Sequence, residues 1–316
     1  MRLRFLLLTV IALASGATTL HAAEAKKQVL LIAGRPSHNP GEHEHNAGML
    51  LLKKCLDESG LPVETKVHLN ATWPSAEELA KADTIVCYSD GSTGHFLLKD
   101  DRLEQLGEQI RRGVGFACLH YAVEYPLGRG GSQALDWLGG FFESKWSVNP
   151  HWQADFKELP QHPVSNGVKP FSTNDEWYFH LRFRGDNQGK LTPILSAIPP
   201  ESTMSRRDGD RSGNPTVRAE VAAKKPQTVA WTYERLDTGR SFGFTGGHFH
   251  SGWGHDDQRK LVLNGILWTA KAELPADGVQ SKVTPEELAA NLDPKPKKEP
   301  RPAIASPTPN PPNPNP

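Results

Sequence analysis

Residues 113–123 read GVGFACLHYAV, and the reading of this stretch decides the fold. A short apolar run from Val114 to Leu119 stops abruptly at His120. Gly113 before it suits the end of a charge-rich, helix-like segment. A run bounded in this way reads as a strand buried on both faces of a parallel sheet. The residues after such a strand lie at its carboxyl end, where open α/β sheets bind ligands. A sharp elbow after a strand needs small residues two before and two after the exposed side chain. With His120 at the tip, Cys118 and Ala122 meet that need. With Cys118 at the tip, Phe116 and His120 do not. The pattern therefore puts an imidazole, not a thiol, at the apex.

Working outward, residues 28–33 (QVLLIA), 63–69 and 84–88 (TIVCY) read as further strands. Helices are expected over 46–59, over 75–80 with Glu77 and Glu78 in its first turn, and over 101–112. The order is β-α-β-α-β-α-β with short loops. Right-handed crossovers then give a flavodoxin-like, doubly wound, mostly parallel α/β sheet with helices on both faces. Downstream, a helix is expected over 135–142 and a strand over 151–158 on an antiparallel extension. Strands are expected over 192–197, 228–232 and 240–245, with a closing helix over 258–270. Residues 201–225 are charged and punctuated by Gly, Ser and Pro, which reads as a loop or hairpin insertion.

The two ends differ in composition from the middle. Residues 1–25 combine two early arginines, an apolar run over 5–14 and small residues near Ala22, Ala23 and Ala25. That is the pattern of a signal peptide, and it predicts export to the periplasm or beyond. Residues 275–316, charged and then rich in Pro and Asn, are expected to form a disordered tail. Residues 26–274 suit one α/β domain. No other run is apolar and long enough for a membrane span, so none is expected in the mature chain. Formal charge is zero, with 36 basic and 36 acidic residues, which leaves no electrostatic footprint for nucleic acid. Cys55, Cys87 and Cys118 fall at apolar positions and read as three free, inert thiols.

Three histidine groups fall where strands end. They are His38, His43 and His45 after the first strand, His120 at the elbow, and His248 and His250 in GGHFH. In a doubly wound sheet these loops share one rim. Neutral imidazoles converging with a carboxylate suit a divalent metal such as Zn²⁺ or Mn²⁺. No HExxH or paired CxxC is present, so this expectation rests on topology. Glu176, within Asn174-Asp175-Glu176-Trp177-Tyr178, is the general acid/base candidate because polar-aromatic neighbours flank it. Tyr121, Trp177 and Tyr178, with His43 and His250, are the expected contacts for a sugar ring.

These motifs make the chain resemble the ThuA-like (trehalose utilisation) family of the class I glutamine-amidotransferase-like superfamily. The carriers are GVGFACLHYA, Asp175–Tyr178 (DEWY), the HPV at 162–164, GGHFHSGW, and Ile266-Leu267-Trp268 in the closing helix. The resemblance implies carbohydrate catabolism, on keto-sugars or glycosides, with metal dependence in some members. Its matching positions are His45, His120, Glu176 and His248. It therefore implies His45, His120 and His248 as metal ligands, with His120 and Glu176 catalytic. Isomerisation, elimination and hydrolysis all remain open. So do a non-catalytic carbohydrate-binding role and a homo-oligomeric state. True amidotransferases carry a nucleophilic cysteine where this chain has His120, so glutamine hydrolysis is not expected.

Overall fold

A computed structural model describes residues 25–296 apart from Asn187. The expected leader and the Pro-rich end of the tail lie outside the described residues. Strands β1 (Lys27–Ala33), β2 (Val63–His68), β3 (Thr84–Tyr88) and β4 (Gly115–Leu119) are joined by helices α1 (His45–Asp57), α2 (Ala76–Lys81) and α3 (Arg102–Arg111). Ser75 caps α2 reciprocally with Glu78, which satisfies two free amides at its start. Gly113 ends α3 at φ +79, a backbone state that costs glycine little.

The strand order in the seven-stranded sheet is β2-β1-β3-β4-β11-β10-β9. Here β9 is Lys190–Ala197, β10 Gln227–Glu234 and β11 Arg240–Phe244. The first five strands in that order run parallel, and β10 lies antiparallel to both β11 and β9. The doubly wound sheet with an antiparallel extension is therefore present. Side chains alternate between two cores. Val86, Tyr88, Ala117 and Leu119 pack with Met49 and Leu52 of α1 and with Leu263 of α6 (Asp256–Thr269). Ile85, Cys87, Phe116 and Cys118 pack on Leu79, Leu106 and Ile110 from α2 and α3. The two-sided burial explains why these strands read as unbroken apolar runs.

Four expectations are corrected. The helix expected over 135–142 is α4 (Gly131–Leu138), stopped by Gly139 at φ +76. The next two residues form β5 (Gly140–Phe141), paired with β8 (Arg182–Phe183). The strand expected over 151–158 is β6 (Trp152–Phe156), but it pairs with β7 (Phe171–Asp175) in a separate two-stranded sheet. The 201–225 insertion contains a helix, α5 (Pro215–Ala222), whose Asn214 cap accepts two backbone amides. Finally, residues 275–296 are ordered against the domain and include α7 (Pro285–Leu288). Val279 is fully buried there, and its amide donates to Asn264 Oδ1 (2.8 Å). Among the described residues no helix is long and apolar enough to cross a membrane.

Candidate metal centre

The carboxyl ends of β1, β3, β4 and β11 open onto one rim, and the β6–β7 hairpin closes it from the side. His120 follows β4 at φ +54, turning the chain into a single 3₁₀ turn rather than an α-helix. A left-handed backbone at a non-glycine residue costs about 1–2 kcal/mol and needs support. Part of that support is close packing against Gly91, where a Cβ would stand 2.1 Å from the Tyr121 carbonyl oxygen. His43 also has positive φ, at +46. Its amide donates to His248 O (2.9 Å), and His250 N donates to Gly41 O (2.8 Å), so the two histidine loops are stitched together. Asp175, at the end of β7, accepts backbone amides from Gly247 (2.7 Å), His248 (3.0 Å) and Glu176 (2.8 Å). One buried carboxylate thus sets the backbone of both His248 and Glu176. Burial raises the Asp175 pKa to about 6, against the pull of those amides.

Within this frame, donor atoms of His43, His120, Glu176 and His248 all lie within 4.8 Å of one another, with the three histidines buried and the Glu176 side chain 13% exposed. His43 Nε2 is 3.0 Å from both His120 Nε2 and His248 Nδ1. Glu176 Oε2 is 3.2 Å from His248 Nδ1 and 3.6 Å from His120 Nε2. The outer nitrogens determine which protons are present. His43 Nδ1 is 2.7 Å from Asp90 Oδ1 and must donate to that carboxylate. His120 Nδ1 donates to Thr245 O (2.8 Å). Burial, then the neighbouring imidazoles, hold both residues well below the usual histidine pKa, so both rings are neutral. Each Nε2 then presents a lone pair, and the two lone pairs face each other at 3.0 Å. No proton lies between them, and a shared cation would satisfy both. Atoms about 2.0–2.1 Å from a tetrahedral zinc sit roughly 3.3 Å apart. The donor set and its spacing therefore fit a borderline divalent metal.

His248 differs from the other two. Burial opposes a proton on it, but the hydrogen bond and charge of Glu176 prevail and raise its pKa. Its Nε2 has no hydrogen-bond partner and faces Glu42 at 3.8 Å. Tyr178 Oη donates to Glu176 Oε2 (3.2 Å) and lies 3.2 Å from His120 Nε2. Glu176 Oε1 accepts from Asn149 Nδ2 (3.0 Å). At the mouth, His38 stacks on His43 (3.5 Å between centroids), Tyr121 meets His43 edge-on (5.8 Å), and His151 lies 4.9 Å from His248.

The structure brings His43, His120, Glu176, His248, Tyr121 and Tyr178 together, sets His45 beside them, and leaves Trp177 and His250 elsewhere. His45 is two residues past His43 and opens α1. Its Nδ1 donates to Arg35 O (3.0 Å), its ring stands against Tyr88, and burial lowers its pKa to about 4. It is outside the converging four, where His43 stands instead, and its unpartnered Nε2 lies 3.8 Å from Asp90 Oδ1, the oxygen that holds His43. Trp177 is wholly buried against Phe244 and Phe156, so it serves the core and not the mouth. His250 turns away, with Nε2 on Leu288 O (2.9 Å). Sequence reasoning missed Asp90, Asn149 and His151. Asp90 was legible, because it stands two residues past a buried strand, in a carboxyl-end loop like those of the other site residues. The other two carried no signal.

The profile of a protein family described as "ThuA: Trehalose utilisation" matches residues 28–269. Among solved structures, a ThuA-like protein from Bacteroides uniformis ATCC 8492 superposes with a TM-score of 0.55 at 14% identity, over 79% of this chain and 94% of that one. A ThuA-like protein from Parabacteroides merdae ATCC 43184 gives 0.54 at 15% identity, over 83% of this chain and 99% of that one. At these identities the likeness is one of fold. No curated protein matches the chain.

Proposed function

The chain belongs to the ThuA, trehalose utilisation, family, and from that premise we propose that it is a metal-dependent enzyme processing keto-sugars or glycosides. The observation that carries the reading is the pair of facing imidazole lone pairs on His43 and His120, joined by His248 and Glu176. His43, His120 and His248 would hold the ion. When bound, a divalent cation supplies Lewis acidity to a substrate carbonyl or hydroxyl. Glu176 takes the proton-transfer role. Its Oε2 is oriented by the Tyr178 hydroxyl and its Oε1 by the Asn149 amide, so one oxygen is presented toward the ligands. A keto group acidifies the neighbouring C–H, and Glu176 Oε2 is the base placed to receive that proton. Returning that proton elsewhere gives isomerisation, expelling the alkoxy group beside the enolate gives elimination, and adding water to the unsaturated product gives net hydrolysis. Tyr121, His38 and His151 offer ring faces and hydrogen-bonding edges to a sugar at the mouth. The signal-peptide pattern of residues 1–25 supports placing this activity outside the cytoplasm.

The test combines metal analysis with a substrate screen. Purified wild type is expected to carry a divalent metal, and H43A, H120A and H248A to lose it with the fold intact. Oxidised (3-keto) disaccharides, assayed with and without added metal, are expected to turn over only with metal. E176Q is expected to bind the sugar without turning it over. Undiminished metal in all three histidine variants would overturn the assignment.

A further inference from the structure

Residues 275–296 lie beyond the span that the family profile matches, 28–269. They nevertheless cross two of the loops that carry candidate ligands, those of His43 and His248. The strap is anchored on α6, where Arg259 Nε donates to Ser281 Oγ (2.9 Å) and Asn264 accepts the Val279 amide. It then runs over the GGHFH loop. Leu288 packs beside Gly254, and its carbonyl meets His250 Nε2. Further on, Asp293 N donates to Glu44 Oε2 (2.9 Å), and Asp293 Oδ1 accepts from Asn46 Nδ2 (3.0 Å).

Lys295 completes the crossing. Its ammonium lies 3.2 Å from Glu44 Oε1 and donates to the carbonyl oxygens of Glu42 and of His43, the latter at 3.2 Å. The Lys295 side chain is 5% exposed and that of Glu44 1%. A buried ammonium is very costly unless its protons are satisfied, and here three acceptors surround its three donors. Two of those acceptors are the carbonyls of the two peptides on either side of His43, just before α1. They fix the backbone that holds His43 at φ +46, a strained state that persists only when its surroundings over-determine it.

We propose that Lys295 is a positioning residue of the metal centre, holding the His43 peptide so that its Nε2 meets His120 and His248. The proposal rests on the metal reading above. The C-terminal strap is then part of the site rather than an appendage. In this chain, metal affinity depends on a side chain 252 positions from His43.

The experiment is a competition titration of zinc against a chromophoric chelator at pH 7.5, using the full chain. K295M is expected to weaken zinc binding roughly ten- to a hundredfold, as loss of a group that orients a metal ligand does. Because K295M leaves Glu44 as an unpaired buried carboxylate, E44Q/K295M is titrated too, and the same loss is expected. K295R is expected to restore most of the affinity, which a purely volumetric role would not require. Amide exchange of residues 42–46 in the zinc-free protein is expected to accelerate in K295M. Wild-type zinc affinity in both K295M and E44Q/K295M, with unchanged exchange, overturns the proposal and leaves the metal centre standing. A wild type that takes up no zinc overturns the metal reading, and the positioning role with it.

Discussion

Asp90 tests whether the His43 tautomer is set as the geometry implies. Its Oδ1 accepts from His43 Nδ1 at 2.7 Å and from Ser37 Oγ at 2.9 Å. Asp90→Leu keeps comparable bulk and removes the acceptor. The His43 N–H is then left without a partner at a site 1% exposed, and the ring is free to move its proton to Nε2. A hydrogen bond to a charged group contributes about 1.5–3 kcal/mol. Asp90 is 34% exposed, so water screens the interaction and the lower end applies. At about 1.4 kcal/mol per factor of ten, zinc affinity should fall roughly tenfold. Asp90→Asn retains an acceptor oxygen and loses only the charge, so its expected loss is smaller, about three- to fivefold. The assay is chelator competition at pH 7.5, with urea unfolding of each metal-free variant to confirm the fold. If D90L holds zinc as tightly as wild type, then either His43 is no ligand or Asp90 does not set its tautomer, and the reasoning fails.

Three further outcomes follow. Burial lowers the His95 pKa to about 4, so the folded state binds that proton more weakly than the unfolded chain at about 6.5. Its contribution is complete above pH 6.5 and is lost as pH falls through 4, about 3 kcal/mol in all; chemical denaturation of H95F at pH 7.5 and 4.5 should show a shallower acid loss than wild type, and equal losses would refute this. Gly91→Ala should cost at least about 1–3 kcal/mol in thermal unfolding, because its Cβ would meet the Tyr121 and Glu124 carbonyl oxygens at 2.1 and 2.7 Å, and a wild-type melting point would contradict it. Iodoacetamide should leave the native protein unlabelled, since Cys55, Cys87 and Cys118 are all buried, and labelling of Cys118 in the native state would challenge the assignment of the apex to His120.

Much of the fold was legible because the strands are buried on both faces. Residues 84–88 were read at their observed bounds, and β1, β2, β4, β10 and β11 within a few residues. The errors come from places where local composition says little about long-range partners. Gly139 and Gly140 interrupt what reads as a continuing helix, and only the pairing of β5 with β8 shows that the chain changes state there. Residues 275–296 contain few large apolar side chains, so a compositional reading makes them a tail. Their order comes from Asn264, Arg259 and Glu44, polar partners on distant segments.

For the site, topology brought the right loops to one rim, but the direction of each side chain was decided below that level. His43 and His45 flank one glutamate, and both are buried in the same loop-to-helix junction. What separates them is backbone state: His43 precedes α1 at φ +46, while His45 is its first residue. A positive φ at a histidine leaves no trace in composition or periodicity. The DEWY segment shows the same limit, because Trp177 enters the core while Tyr178 reaches Glu176 and His120. The elbow was readable because its constraint is steric and local, and it also determines the chemistry. Cys118 is fully buried on the far face of β4, near Tyr125 (3.6 Å) and in register with Cys87, where no substrate can reach it. The apex carries instead an imidazole held neutral, with its outer nitrogen committed to Thr245. A side chain in that condition is a poor covalent nucleophile and a ready ligand, so the same backbone turn supports a metal centre in place of thiol catalysis.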